Sequence, residues 1–290
     1  MNKDYSKGLE FESHEDGTCC LIGPGKCRSK NIKIPPVSPD GEAVTEIFGQ
    51  AFYNCKIRVV TIPESVTTIG CHVFYGCNSL KSITVAEGNP VYHSAGNCII
   101  ETASKTLIAG CGASVIPTDG SVTSIDDYAF DGCGSIINIT IPESVTSIGY
   151  KAFYDCSSLI SVTIGNGVTR IDGSAFWGCS SLINVTIGSG VTIIGSWDFC
   201  DCSSITSITI PDNVTRIAGR AFSDCGALIN VTIGRGVTNI GECAFYECCS
   251  LASITYAGTK AQWRAIRKDD YWDEETGFYT IRCTDGEITK

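Results

Sequence analysis

CSSLISVTIGNGVTRIDGSAFWG, residues Cys156–Gly178, is one copy of a unit that recurs along the chain. Leu159–Ile164 is rich in β-branched residues, and its Leu, Val and Ile recur at spacings of three and two. That is the pattern of a short parallel strand with one buried face. A Pro or Gly then ends the strand and turns the chain, at Pro63, Pro142, Gly165, Gly188, Pro211 and Gly234. Val168, Thr169 and Ile171 form a second short extended piece. Ala175, Phe176 and Cys179 close the coil through a turn too short for a full helix.

This closing A-F-x-x-C motif places Phe52, Phe74, Phe130, Phe153, Phe176, Phe199, Phe222 and Phe245, with Cys55, Cys77, Cys133, Cys156, Cys179, Cys202, Cys225 and Cys248. The first pair of phenylalanines is 22 residues apart, and from Phe130 onward the step is always 23. Phe74 to Phe130 is 56, so one coil is enlarged. A unit this small cannot bury its own apolar face, whereas stacked units cover one another. About nine coils at ~4.8 Å per strand predict a rod on the order of 40–50 Å long, with the phenylalanines as its spine.

The unit resembles the BspA-type, or Treponema-type, leucine-rich repeat, whose pattern is L-x-x-I-x-I-P-x-x-V-x-x-I-G-x-x-A-F-x-x-C. The likeness covers about residues 44–258. The flanks GTCCLIGPGKCRSKNIKIPPVSPDGEAVTEI (17–47) and ITYAGTKAQWRAI…YTIRCTDG (Ile254 to Gly286) resemble the family's caps. The resemblance implies a β-rich fold, α/β by convention: a right-handed leucine-rich-repeat solenoid with a parallel concave sheet and short turns or 3-10 segments on its convex side. The expected organisation is an N-terminal cap over 1–46, the array over 47–258 with its enlarged coil near 86–121, and a C-terminal cap over 259–290. Thr259–Lys268 is a candidate capping helix with Trp263 and Ile266 on one face, to which Trp272 and Ile281 add. The resemblance further implies a bacterial surface or secreted protein that binds host or other proteins.

Composition narrows the function. The net charge of −10 argues against nucleic acid and anionic lipid as partners. No run of 18 apolar residues predicts a membrane span. MNKDYSKGLEFESHEDG shows no signal-peptide pattern. Of the 18 cysteines, eight share one phase of the coil, which reads as a column of small buried side chains. A disulfide framework would not place them so, and zinc would need four clustered ligands. A disulfide among the cap cysteines stays open. Many free thiols fit a reducing compartment, against the surface location that the family implies.

No catalytic, metal or cofactor residues are predicted. His14, His72 and His93 are isolated, and no G-x-S-x-G occurs. Gly165-Asn166-Gly167, Gly188-Ser189-Gly190 and Gly234-Arg235-Gly236 recur at the turn and read as turns rather than phosphate loops. The N-x-T sequons at Asn138, Asn184, Asn213 and Asn230 largely follow the repeat.

If Leu159, Val162 and Ile164 point inward, then Ile160, Ser161 and Thr163 point out. The outward columns are threonine (Thr61, Thr84, Thr140, Thr163, Thr186, Thr209, Thr232, Thr255), alternating Ser and Asn (Ser82, Asn138, Ser161, Asn184, Ser207, Asn230, Ser253), and mostly apolar (Ile137, Ile160, Ile183, Thr206, Ile229). An uncharged platform of this kind suits cross-strand stability. It equally suits the centre of a protein interface. Tyr150, Tyr154, Trp177 and Trp197, on three consecutive coils, are a second candidate surface that could bind a partner or pack coil on coil. The enlarged coil, with Tyr92 and His93, is a third. The expected function is non-enzymatic protein binding; a structural or self-associating rod is the alternative. Ice binding by the threonine ladder and a hydrolase in the enlarged coil are remoter readings.

Overall fold

The structure is a computed structural model and describes residues 5–289; Met1–Asp4 of the expected N-terminal cap and Lys290 lie outside them. The chain winds into a β-rich solenoid of about 12 turns, more than the nine that the phenylalanine count predicts, because the flanks add coils of their own. Each regular coil carries two strands. The longer one is Ser161–Ile164 in the quoted unit, and the shorter is Arg170–Ile171. The longer strand pairs in parallel with those of both adjacent coils in unshifted register, Thr140 facing Thr163 and Thr163 facing Thr186, and the shorter pairs with Ser147–Ile148 of the preceding coil.

The core follows the period. Phe52, Phe130, Phe153, Phe176, Phe199, Phe222 and Phe245 are fully buried. From Phe130 to Phe245 adjacent rings stack at 4.9–5.4 Å, almost parallel. The turn that presents each ring is held by two left-handed residues, two before and two after it, as at Lys151 (φ 53°) and Asp155 (φ 55°) around Phe153. Asn, Asp or Gly fills the second of these places in every coil but the last, because such residues tolerate positive φ. Backbone N–H groups of this turn also donate to the next coil, Phe153 to Ala175 and Asp155 to Trp177.

The cysteine column has a role that burial alone does not describe. The thiols of Cys77, Cys156, Cys179, Cys202, Cys225 and Cys248 donate to the carbonyl oxygen of the preceding coil's phenylalanine, at 2.9–3.3 Å. Cysteine thus supplies a small apolar volume and a weak donor at once. Burial pushes the thiols of Cys77, Cys156, Cys202, Cys225 and Cys248 up, Cys77 and Cys248 to about 12. A native thiol titration is expected to modify the exposed Cys71 and Cys249 quickly and the column only after unfolding. Finding almost no reactive thiol in either state would show that the cysteines are bridged.

The two ends differ from the array. Glu10–Ser13 and Thr18–Gly23 form an antiparallel hairpin at the start. At the end the helix Lys260–Ala265 opens on a capping box, Thr259 accepting from the Gln262 backbone and the Gln262 side chain accepting from the Thr259 N–H. Trp263 and Ile266 are buried, and Trp272 meets both Phe245 and Trp263 edge-on. The hairpin Thr280–Cys283/Gly286–Thr289 completes this end.

Candidate functional site

The outward side of the longer strands is assembled by register. Ile137, Ile160, Ile183 and Ile229 stand 39–46% exposed in one row. The first three are joined by equivalent backbone bonds, Ile160 N–H to Ile137 C=O at 2.7 Å and Ile183 N–H to Ile160 C=O at 2.9 Å, and Ile229 is bonded in the same way to Thr206. Beside the row run Asn138, Ser161, Asn184, Ser207 and Asn230, then Thr140, Thr163, Thr186, Thr209 and Thr232, with all these threonines exposed. Within the polar column Ser253 donates to the Asn230 side chain at 2.8 Å. From Ile137 to Thr232 no charged residue stands in these three columns.

The turn aromatics behave differently. Trp177 and Trp197 stack at 5.0 Å, Tyr154 meets Trp177 edge-on, the Lys151 ammonium lies over Tyr150, Tyr154 and Trp177, and the Arg220 guanidinium covers Trp197. These rings pack coil on coil and are capped by cations. The G-x-G glycines also have a packing cause: a β-carbon on Gly167 or Gly190 would run into a backbone carbonyl of the preceding coil.

The enlarged coil builds a pocket where the spine fails. Its strands Tyr92–Ala95, Cys98–Glu101 and Thr106–Ala109 pair antiparallel. The chain then reaches Cys111 through Ile108, Ala109 and Gly110, with no phenylalanine. Among the described residues no ring contact joins Phe74 to Phe130, and a pocket of about 270 Å³ opens between them. A β-carbon on Gly110 would strike the Phe130 ring. The pocket brings together His72 and Asp131, whose Nδ1 and carboxylate are hydrogen-bonded, and Tyr128, whose ring lies 4.1 Å from the imidazole. Burial holds the Asp131 carboxyl up at about 6 in spite of the histidine beside it. In the sequence His72 stands alone, since its partner is 59 residues away. His93 lies elsewhere, against Thr102 at 2.9 Å. Among the described residues no hydroxyl or thiol hydrogen-bonds His72, and no three His, Cys, Asp or Glu side chains cluster as metal ligands would. No helix among the described residues is long and apolar enough to cross a membrane.

A family model described as "BspA type Leucine rich repeat region" matches in 6 copies, over residues 26–119, 45–180, 101–225 and 192–263. Among solved structures, a leucine-rich repeat protein from Eubacterium ventriosum is similar at 24% identity and a TM-score of 0.71, over 85% of this chain and 64% of that one. The pneumococcal vaccine antigen PcpA is similar at 17% identity and a TM-score of 0.57, over 87% of this chain and 62% of that one. The chain therefore spans under two thirds of either protein, and at these identities the likeness concerns the fold. No curated protein matches.

Proposed function

Because the chain belongs to the BspA-type leucine-rich repeat family, we propose that it is a non-enzymatic solenoid that binds another protein through the outer side of its longer strands. The observation that carries this is the exposed row Ile137, Ile160, Ile183 and Ile229, flanked by uncharged Asn, Ser and Thr columns. An apolar, charge-poor centre with hydrogen-bonding groups at hand is the make-up of an interface core. The paired strands under Ile137, Ile160 and Ile183 mean that little ordering is needed there on binding. The turn aromatics Tyr150, Tyr154, Trp177 and Trp197 are a secondary contact, through ring edges left at the surface. The fold shared with a pneumococcal vaccine antigen supports reading the chain as a bacterial surface or secreted, adhesin-like protein with a host protein as partner.

Capture from host and bacterial extracts tests this. Wild-type protein is expected to retain a defined partner, and Ile160→Asn with Ile183→Asn to weaken it at least tenfold without changing the fold. Equal capture by both forms would remove this surface from the function. A self-associating rod is the second reading, favoured by Phe278, 92% exposed in the C-terminal region; a strict monomer in sedimentation at high concentration counts against it.

A further inference from the structure

The uncharged face belongs to the later of the longer strands. In the first three longer strands, Asn31–Lys33, Val59–Ile62 and Ser82–Val85, the row that carries isoleucine further on carries Lys30, Arg58 and Lys81. The equivalence is fixed by the backbone: Arg58 N–H donates to Lys30 C=O at 2.6 Å and Lys81 N–H to Arg58 C=O at 2.9 Å, the same bonds that join Ile137, Ile160 and Ile183. All three side chains are exposed, and among the described residues none has a carboxylate within 4.0 Å. Arg28 and Lys56, also exposed and without such a partner, stand beside the row around a pocket of about 260 Å³ that Ser29 and Lys30 help to line.

Like charges directly opposite one another on a sheet are destabilising. The repeat itself shows that the fold does not require them, since Ile, Thr206 and Ala252 occupy the same row elsewhere. A row of cations one sheet step apart, ~4.8 Å, on a protein of net charge −10 is therefore a feature in want of a counter-charge. We propose that Lys30, Arg58 and Lys81, with Arg28 and Lys56, bind an anionic polysaccharide, a glycan bearing sulfate or carboxylate on successive sugars. The cation step is comparable to the advance of one pyranose along an extended glycan. Acidic side chains on one face of an extended peptide recur only every ~6.8 Å. The neighbouring strands are already paired on both sides at Val59–Ile62, so no edge is open there for a peptide strand. Asn31, Ser82, Thr61 and Thr84 offer amide and hydroxyl partners for sugar hydroxyls, and no aromatic residue stands in these columns to stack a nucleic-acid base.

The surface is separate from the isoleucine row, so the two proposals stand or fall independently. Binding to the full chain is measured with a heparin octasaccharide, an octagalacturonate, a neutral dextran oligosaccharide, polyglutamate and an oligothymidylate. At least one of the two anionic glycans is expected to bind, more weakly as salt rises, with the neutral one inert. The two arms distinguish sulfate from carboxylate. K30T/R58T/K81T, which installs the residue found at Thr206, is expected to lose at least tenfold in affinity with an unchanged circular-dichroism spectrum. Ile160→Asn with Ile183→Asn is expected to bind the glycan as wild type does. No binding of either anionic glycan, unchanged affinity in the triple variant, or tighter binding of polyglutamate or the oligothymidylate overturns the proposal.

Discussion

Phe176→Ala is expected to destabilise the protein by roughly 3–5 kcal/mol, the cost of emptying a fully packed aromatic site. Phe176 has no exposed surface and is stacked on both sides, against Phe153 at 5.1 Å and Phe199 at 5.3 Å, so neither neighbour can collapse into the space without leaving its own stack. Its carbonyl also accepts the Cys202 thiol. Phe74→Ala is expected to cost less. That ring is the last before the enlarged coil, lines the pocket, and among the described residues has a ring partner only in Phe52, at 6.0 Å. Urea denaturation of the two variants checks the ordering. Equal costs would mean that stacking contributes little beyond burial.

The contrast between those two residues also marks how far the sequence could be read. A 23-residue period makes each contact repeat, so the strands, the spine and the cysteine column follow from one unit. The departures were visible as letters but not as consequences. Where no phenylalanine stands between Phe74 and Phe130 a pocket opens, and Gly110 leaves room for the Phe130 ring beside it. His72 and Asp131 meet because the enlarged coil separates them in sequence while the solenoid keeps their turns in contact. The basic row stayed hidden for a related reason. Arg58 and Lys81 keep the 23-residue step, but Lys30 lies 28 residues before Arg58, so only the bond from Arg58 N–H to Lys30 C=O shows that the row begins there. The sequence reading of an uncharged face thus holds from Ile137 onward and gives way before it.

Asp198→Ala is expected to stabilise the protein near neutral pH, because the folded state must hold a buried carboxyl in its protonated form while the unfolded chain ionises it. Asp198 stands where neighbouring coils place Ala152, Ala175, Ala221 and Ala244, and it is wholly buried. Its carboxylate accepts from the Gly195 N–H at 2.6 Å and the Ala175 N–H at 3.4 Å. In other coils the N–H equivalent to that of Gly195 donates instead to the preceding coil, as Gly149 does to Ile125 and Gly241 to Ile217. On either side of this coil one ladder is interrupted: Arg170–Ile171 does not pair with Ile193–Ile194, nor Asn184–Thr186 with Ser207–Ile210. The turn bonds from Ser174, Phe176 and Gly178 to Ser196, Asp198 and Cys200 still hold the coils together there.

Burial raises the Asp198 carboxyl from an ordinary value of 3.8 to about 8. In the unfolded chain it ionises near 3.8; in the folded protein it keeps its proton up to about 8. Between those limits the folded state binds more protons, so wild-type stability is greatest below pH 4 on this account and falls as pH rises to about 8. Each pH unit in that window removes up to about 1.4 kcal/mol. Asp198→Ala, which restores the residue of the other coils and frees Gly195 N–H for Ile171, is expected to flatten the dependence. Urea midpoints of wild type and variant from pH 4 to 9 should diverge as pH rises and approach each other at the acid end. Parallel curves would show that the carboxyl titrates as it does in the unfolded chain, and that the interrupted ladders have another cause.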